Sequence, residues 1–377
     1  MDKSLLKELC DNLNVRGGSL PALQIPEMFE LLEELFTEEE AKVACKMPPV
    51  AVPLRDLSEN LSRPEEDIFP LLESMADKAV VITRKKEGVV LYKLLPIIPG
   101  ILEFQFMRGG ETDRDRRMAR VLRAYADAAE AHIRKIMPIP EDVTPFMRVI
   151  PIERTIKAGQ QVYTFEQLSR YIESAGAISV GHCYCHHEAY LLGKETCDAP
   201  EYRCMSFGPG ALFTSERGIA RLITKEEALE ILKECEEKGL VHMSSNTSKY
   251  LEYLCNCCKC HCGILNNLNK LGKPIWGASS DYLAQVVDEV CEGCGTCEEI
   301  CPMKAVSMKE EGAAAVDKNR CIGCGVCAGH CPADAISMNL REDRSPPPET
   351  PKDLRKAVMD DFQRSKRKGV GLPDPNP

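Results

Sequence analysis

The sequence predicts an α+β, multidomain protein. Three observations carry that expectation: a helix, helix, helix, hairpin order near the N-terminus, a cysteine-free stretch followed by a cysteine-dense one, and an internal repeat toward the C-terminus. The expected parts are a helix-and-hairpin domain over 20–99, a long helix and linker over 100–160, a helical cysteine-rich middle domain over 161–275, a duplicated domain over 282–340 and a tail over 341–377. At 377 residues the chain can build two or three buried cores, taking about 150 residues per domain.

Composition narrows the class. Apolar residues make up 44% and charged residues 28%, too polar for a protein embedded in a membrane, and no apolar run reaches the roughly 18 to 20 residues that span a bilayer. The segment from Met1 to Arg16 alternates charge and leucine without the apolar region of a secretory signal, so the expected location is the cytoplasm. A net charge of −10 argues against nonspecific nucleic-acid binding, which needs Lys and Arg to displace counterions from phosphate. All but two of the 20 cysteines fall between 183 and 331; with no secretory signal and C-x-x-C spacing, they point to metal ligation rather than disulfides.

In chain order, Pro26 to Phe36 and Glu38 to Lys46 are amphipathic, and a further helix is expected near Leu54 to Leu61. Ser62-Arg63-Pro64-Glu65 has the form of a capping box opening a helix to about Lys78. The β-rich runs Ala79 to Thr83 and Val89 to Leu94 flank a turn at Arg84-Lys85-Lys86-Glu87-Gly88. This order resembles a winged-helix domain of bacterial and archaeal regulators. The resemblance implies a DNA-reading helix, yet Glu65, Glu66, Asp67, Glu73 and Asp77 on that helix are opposed only by Lys78, a poor surface for a major groove. The alternative is a protein-docking or homodimerising module, with Arg84, Lys85 and Lys86 as a solvated wing.

Glu111 to Met137 reads as one helix, with Met118, Val121, Leu122, Tyr125 and Ala129 at helical spacing. Its basic cluster Arg114, Arg116, Arg117, Arg120 and Arg123 reads as a solvated face or a partner contact. Pro138 to Ile156, Pro-broken and β-branched, reads as a link. Thr164-Phe165-Glu166-Gln167 and Thr224-Lys225-Glu226-Glu227 have capping-box form, the second opening a helix closed by Gly239. The tail is expected to move freely or to wrap the surface, with one short helix near Pro351 to Arg364.

The strongest motif is Cys291-x2-Cys294-x2-Cys297-x3-Cys301-Pro302, repeated as Cys321-x2-Cys324-x2-Cys327-x3-Cys331-Pro332. Glu292-Gly293-Cys294-Gly295 aligns with Ile322-Gly323-Cys324-Gly325, so the repeat extends beyond sulfur. Three thiolates on a tight turn can each reach a different iron of one cube. The pattern resembles the bacterial two-cluster ferredoxins, with a βαβ repeat and two 4Fe-4S clusters. That resemblance implies that each fourth Cys crosses to the other cube. One cluster then uses Cys291, Cys294, Cys297 and Cys331, the other Cys321, Cys324, Cys327 and Cys301, and the domain relays single electrons at low potential. Zinc is the competing occupant of any four-cysteine site.

A second region carries Cys183-Tyr184-Cys185-His186-His187, Cys197, Cys204 and the run Cys255-Asn256-Cys257-Cys258-Lys259-Cys260-His261-Cys262. The C-x-C loop, the loop Gly193 to Pro200 and the C-N-C-C run resemble a cysteine-rich domain of poorly characterised iron-sulfur proteins of anaerobes. In these proteins Arg is common where this chain has His186. A third 4Fe-4S cluster is expected here on Cys185, Cys197, Cys204 and Cys257, with Cys183, Cys255, Cys258, Cys260 and Cys262 as possible additional ligands. Zinc and redox-switching thiols are the alternatives. His182, His186, His187 and His261 read as hydrogen-bond donors before ligands. Cys10 and Cys45 read as small apolar groups, and Cys235 as a mid-helix one.

The expected function is an electron-transfer protein or subunit serving a redox partner such as a ferredoxin, a flavoprotein or an oxidoreductase subunit. No Gly-rich dinucleotide fingerprint or P-loop is present, and no catalytic residue is assigned. The alternatives are an oxidoreductase with a catalytic middle cluster and a redox-sensing regulator acting through the winged helix.

Overall fold

The computed structural model describes residues 1–18, 20–136, 144–156, 167–271, 277–342, 344 and 346–367. The N-terminal part contains α1 (Lys3–Val15), α2 (Pro26–Leu35), α3 (Glu38–Lys46), β1 (Val52–Pro53), α4 (Leu54–Leu61), α5 (Glu65–Asp77), β2 (Val81–Lys86) and β3 (Val89–Leu94), with a sheet in the order β1-β3-β2. Each helix buries one apolar stripe, such as Leu6, Leu9 and Leu13 on α1 and Ile68, Leu72 and Met75 on α5. One expected cap moves. Ser62 takes a left-handed conformation (φ 50°) that closes α4, and α5 begins at Glu65 with no side-chain cap. The full capping box lies instead at Thr37 and Glu40, opening α3.

After α6 (Leu102–Met107) runs α7 (Asp113–Ile136), the expected long helix. Its basic cluster is partly spent inside the chain: Arg117 pairs with Glu34 at 2.7 Å, and Arg123 makes a two-pronged contact with buried Glu188 at 2.7 and 3.0 Å.

The middle region departs most from expectation. The sequence predicts a helical region here, whereas the structure contains a seven-stranded sheet between its helices. Its elements are β4 (Met147–Ile150), α8 (Leu168–Ser174), β5 (Ile178–His182), α9 (Tyr184–Leu191), β6 (Tyr202–Phe207), α10 (Pro209–Glu216), β7 (Arg221–Ile223), α11 (Lys225–Glu237), β8 (Val241–Ser245), β9 (Tyr253–Cys257), α12 (Gly263–Leu271) and β10 (Gly277–Ala278). The strand order is β10-β4-β8-β9-β6-β5-β7, and among the described residues only the β10–β4 pair is parallel. β4 lies within the expected linker. β5, β6 and β8 are short and covered on both faces, so the period-two alternation that marks a half-exposed strand is missing from them. The capping box at Thr164 to Gln167 falls outside the described residues. At α11, Thr224 Oγ1 caps Glu227 N at 3.1 Å, while the Glu227 carboxylate turns to Arg221.

The C-terminal part has β11 (Tyr282–Val286), α13 (Thr296–Ile300), β12 (Val306–Met308), β13 (Ala314–Val316), α14 (Val326–Gly329) and β14 (Ile336–Leu340), with antiparallel pairs β11–β14 and β12–β13. The tail helix α15 (Pro351–Arg367) buries Leu354 and Val358. Its Asp361 accepts the Thr144 N–H at 2.8 Å. Among the described residues no helix is long and apolar enough to cross a membrane.

Two seams position the sites. At the first, the acidic end of α5 grips the middle region: Arg217 contacts Glu73 at 2.9 Å and Asp77 at 2.8 Å, and Ala76, Ala79 and Met107 pack with Cys183, Cys204 and Phe213. At the second, Ile152 N donates to Cys324 O at 3.0 Å and Ser280 N to Ile322 O at 3.0 Å. There Val149, Met243, Leu265 and Leu268 share one core with Met303, Ile322 and Val326.

Candidate metal centres

In the C-terminal part the two halves of the repeat match in conformation. Gly293 and Gly323 have φ of 70° and 68°, Gly295 and Gly325 77° and 79°, and Lys304 and Asp334 50° and 51°. A Cβ on Gly323 would lie 2.1 Å from Tyr282 O, and one on Gly293 2.6 Å from Gly312 O, so backbone approach as well as the left-handed φ requires glycine there. Equivalent N–H···S bonds of 3.3 Å run from Ala305 N to Cys301 Sγ and from Ala335 N to Cys331 Sγ.

Cys301, Cys321, Cys324 and Cys327 line one small cavity with Ala284, Met303 and Ile322. Burial pushes the Cys327 thiol up to about 12, and the charges of Cys321 and Cys301 push it the same way. Cys297 is raised by burial and by nearby Cys291 and Cys294, while Cys294 itself is exposed. Soft, converging sulfurs with backbone donors and little room for water suit a cube better than a hydrated ion.

The middle cysteines fall into two groups. Strand alternation explains the first. Cys255 and Cys257 are two apart on β9 and so share a face, and the pairing of Met205 with Leu254 brings Cys204 on β6 alongside Cys255. Cys183 is the N-cap of α9, Cys185 lies in its first turn, and Cys262 immediately precedes α12. The thiols make side-chain contacts from Cys183 to Cys204, Cys204 to Cys255, Cys255 to Cys257, Cys257 to Cys262 and Cys262 to Cys185, and Cys183 lies within electrostatic reach of Cys185. Six sulfurs thus form a ring. Hydrogen bonds from Cys204 and Cys257 hold Cys255 down to about 6, and those from Cys185 and Cys257 hold Cys262 well below the ordinary thiol range, helped by the N–H groups of Leu265 and Ile264.

Cys197 lies in the second group, with Cys258, Cys260 and His261, whose ligand atoms are all within 4.8 Å of one another. Of the four residues expected to hold a third cluster, the structure therefore places Cys185, Cys204 and Cys257 in the ring and Cys197 in this second set. The additional candidates divide too, Cys183, Cys255 and Cys262 joining the ring, Cys258 and Cys260 the second set. The opposite face of β6 and β9 carries fully buried Arg203, whose Nε donates to Asn256 O at 3.1 Å, while Nη1 donates to Pro200 O and Nη2 to Cys258 Sγ at 3.9 Å. Cys10 and Cys45 are far from both groups in the chain, and burial pushes each up to about 12, as it does mid-helix Cys235.

Of the histidines, His186 Nε2 bonds Cys197 O at 3.0 Å and His187 Nε2 bonds Gly110 O at 2.8 Å. His182 packs on the Tyr202 ring with centroids 4.2 Å apart.

Sequence reasoning missed a cavity of about 1840 Å³ between the N-terminal and middle regions, whose wall includes all six ring cysteines. Glu103 of α6 faces it and accepts Gly100 N–H at 2.8 Å; burial pushes its carboxyl up to about 7. Tyr184 and Tyr253 line the same cavity within electrostatic reach of Glu103, and burial raises both phenols well above their usual range. No local motif marks this cavity, because its walls come from segments about 150 residues apart in the chain.

Comparison with known proteins places a family match in the C-terminal part of the chain. The profile of the 4Fe-4S dicluster domain matches residues 290–335. A probable ferredoxin of Methanosarcina thermophila is 41% identical over 37 residues, covering 10% of this chain and 64% of that relative. The C-terminal segment is thus a ferredoxin-type iron-sulfur domain that binds 4Fe-4S clusters.

Proposed function

We propose that the chain is an iron-sulfur electron-transfer protein in which single electrons enter at an exposed cube, pass to a buried one and continue toward a third cluster in the six-cysteine ring. The exposed cube is held by Cys291, Cys294, Cys297 and Cys331, and the buried one by Cys321, Cys324, Cys327 and Cys301. The third uses Cys185, Cys204 and Cys257 with one further ring thiol. The observation that carries this reading is the shared core at the second seam, where Cys301, Cys321 and Cys324 pack with Cys257 and Cys262. Exposed Cys294, beside the exposed apolar side chains of Val287 and Val290, suits docking of a soluble redox protein.

The order of transfer is testable by rapid mixing with a low-potential donor and freeze-quench EPR. Cys324→Ser removes the ligand at the seam, so the exposed cluster still reduces while the ring cluster stays oxidised on the timescale at which it is reduced in the wild type. Equal reduction of the ring cluster in both proteins would contradict the relay.

The N-terminal elements, in the order α3-β1-α4-α5-β2-β3 with a three-stranded sheet, support the winged-helix reading. The salt bridges from Arg217 occupy the acidic end of α5, and Lys85 of β2 lies 3.9 Å from Glu216, so we read the module as docked on its own middle region rather than on DNA.

The cavity favours a second reading, an oxidoreductase whose ring cluster reduces a small substrate. Electrons would come from the cubes, and Glu103, Tyr184 and Tyr253 are the groups placed to hold or deliver protons.

A further inference from the structure

We propose that Cys197, Cys258, Cys260 and His261 hold a single Zn²⁺ ion, distinct from the iron-sulfur clusters. Four donor atoms within 4.8 Å of one another match one tetrahedral ion, where a Zn–S bond of about 2.3 Å puts neighbouring sulfurs about 3.8 Å apart. A cube, whose four ligands sit on four different irons, needs its sulfurs spread wider.

His261 supplies independent support. Its Nδ1 is buried and has no hydrogen-bond partner, although the ring bonds the backbone of Glu195. An imidazole fixed through one nitrogen while the other keeps no hydrogen-bond partner is how a ligating histidine is normally held. Left empty, a buried polar atom of this kind has an uncompensated desolvation cost.

Charge agrees. Three thiolates and a neutral imidazole on Zn²⁺ sum to −1, and the nearest buried cation is Arg203, with Nη2 on Cys258 Sγ and carbonyls as its other hydrogen-bond acceptors. The ion ties the loop carrying Cys197 to the run from Cys258 to His261. Cys257 and Cys262 of the ring flank that run, and Lys259 within it donates to Glu299 O of α13 at 2.7 Å. With four protein ligands the site is closed, so its role is structural, joining the Cys197 loop to the segment after Cys257.

The full-length protein, purified without oxygen from zinc-supplemented cells, is predicted to carry about one zinc per chain beside its iron. Cys260 is exposed, so Cys260→Ser removes one donor atom without opening a cavity in the core. It should lose the zinc while iron and acid-labile sulfide stay at the wild-type level. His261→Ala should lose it too, and His261→Cys should keep it. Cobalt substitution should give the visible bands of a tetrahedral thiolate site in the wild type and not in Cys260→Ser. A zinc-free wild type, zinc retained in Cys260→Ser, or loss of about four irons in that variant would each overturn the assignment, the last by placing these cysteines on a cube.

Discussion

Replacing Arg203 by Met is expected to destabilise the protein by about 3–5 kcal/mol, the cost of removing one side of a buried charge arrangement. The side chain is fully buried, and its donors satisfy the carbonyls of Asn256 and Pro200 while its charge faces Cys183, Cys258 and Cys204. Methionine fills much of the volume but leaves both carbonyls unsatisfied and the thiolates without their counter-charge. The Asn256 side chain keeps its own bonds, since Nδ2 donates to the backbone carbonyl of residue 203 and Oδ1 meets His242 Nδ1 at 2.6 Å, so the loss is confined to the guanidinium's contacts. Anaerobic thermal unfolding should show a much lower midpoint, with middle-region metal lost before the ferredoxin-type clusters. A shift corresponding to less than about 1 kcal/mol would mean that the guanidinium is not the counter-charge of the cysteine groups.

The second large effect belongs to Glu103→Gln. In the folded chain burial raises this carboxyl to about 7, against 4.5 when it is unperturbed. Between those values the folded state binds more protons than the unfolded one. The stability tied to Glu103 is therefore fully present below about pH 4.5, is lost as pH rises and is gone above about pH 7. Glutamine keeps the shape and cannot ionise. Glu103→Gln should accordingly flatten the stability profile across that window and, near pH 8, exceed the wild type by up to about 3 kcal/mol. Coincident profiles for the two proteins would show that Glu103 titrates as an ordinary carboxylate, and would remove it as a proton donor to the cavity.

How far the sequence reveals these sites depends on how local each one is. The ferredoxin-type repeat is legible because each half sets its own turn: the glycines at 293, 295, 323 and 325 and the cysteines around them fix geometry within about ten residues. The helices α4, α5 and α7 are legible from their apolar spacing. The middle sheet is not, because the strands around Val180, Met205 and Met243 are buried on both faces and lack alternation. The division of its cysteines follows from that sheet. Cys257 and Cys258 are adjacent in the chain yet join different groups, and only the pleat of β9 decides which sulfur points where. The pairing of Cys197 with Cys260 and the cavity wall joining Glu103 to Tyr253 are long-range contacts that no local pattern encodes.

Iron and acid-labile sulfide, counted on the full chain prepared and kept without oxygen, bear most directly on the three-cluster relay. The relay predicts about 12 of each per chain, with the ring cysteines protected from alkylation until the clusters are removed. About 8 of each, with Cys185, Cys204 and Cys257 freely alkylated, would confine the clusters to the C-terminal domain and leave the ring without a place in electron transfer.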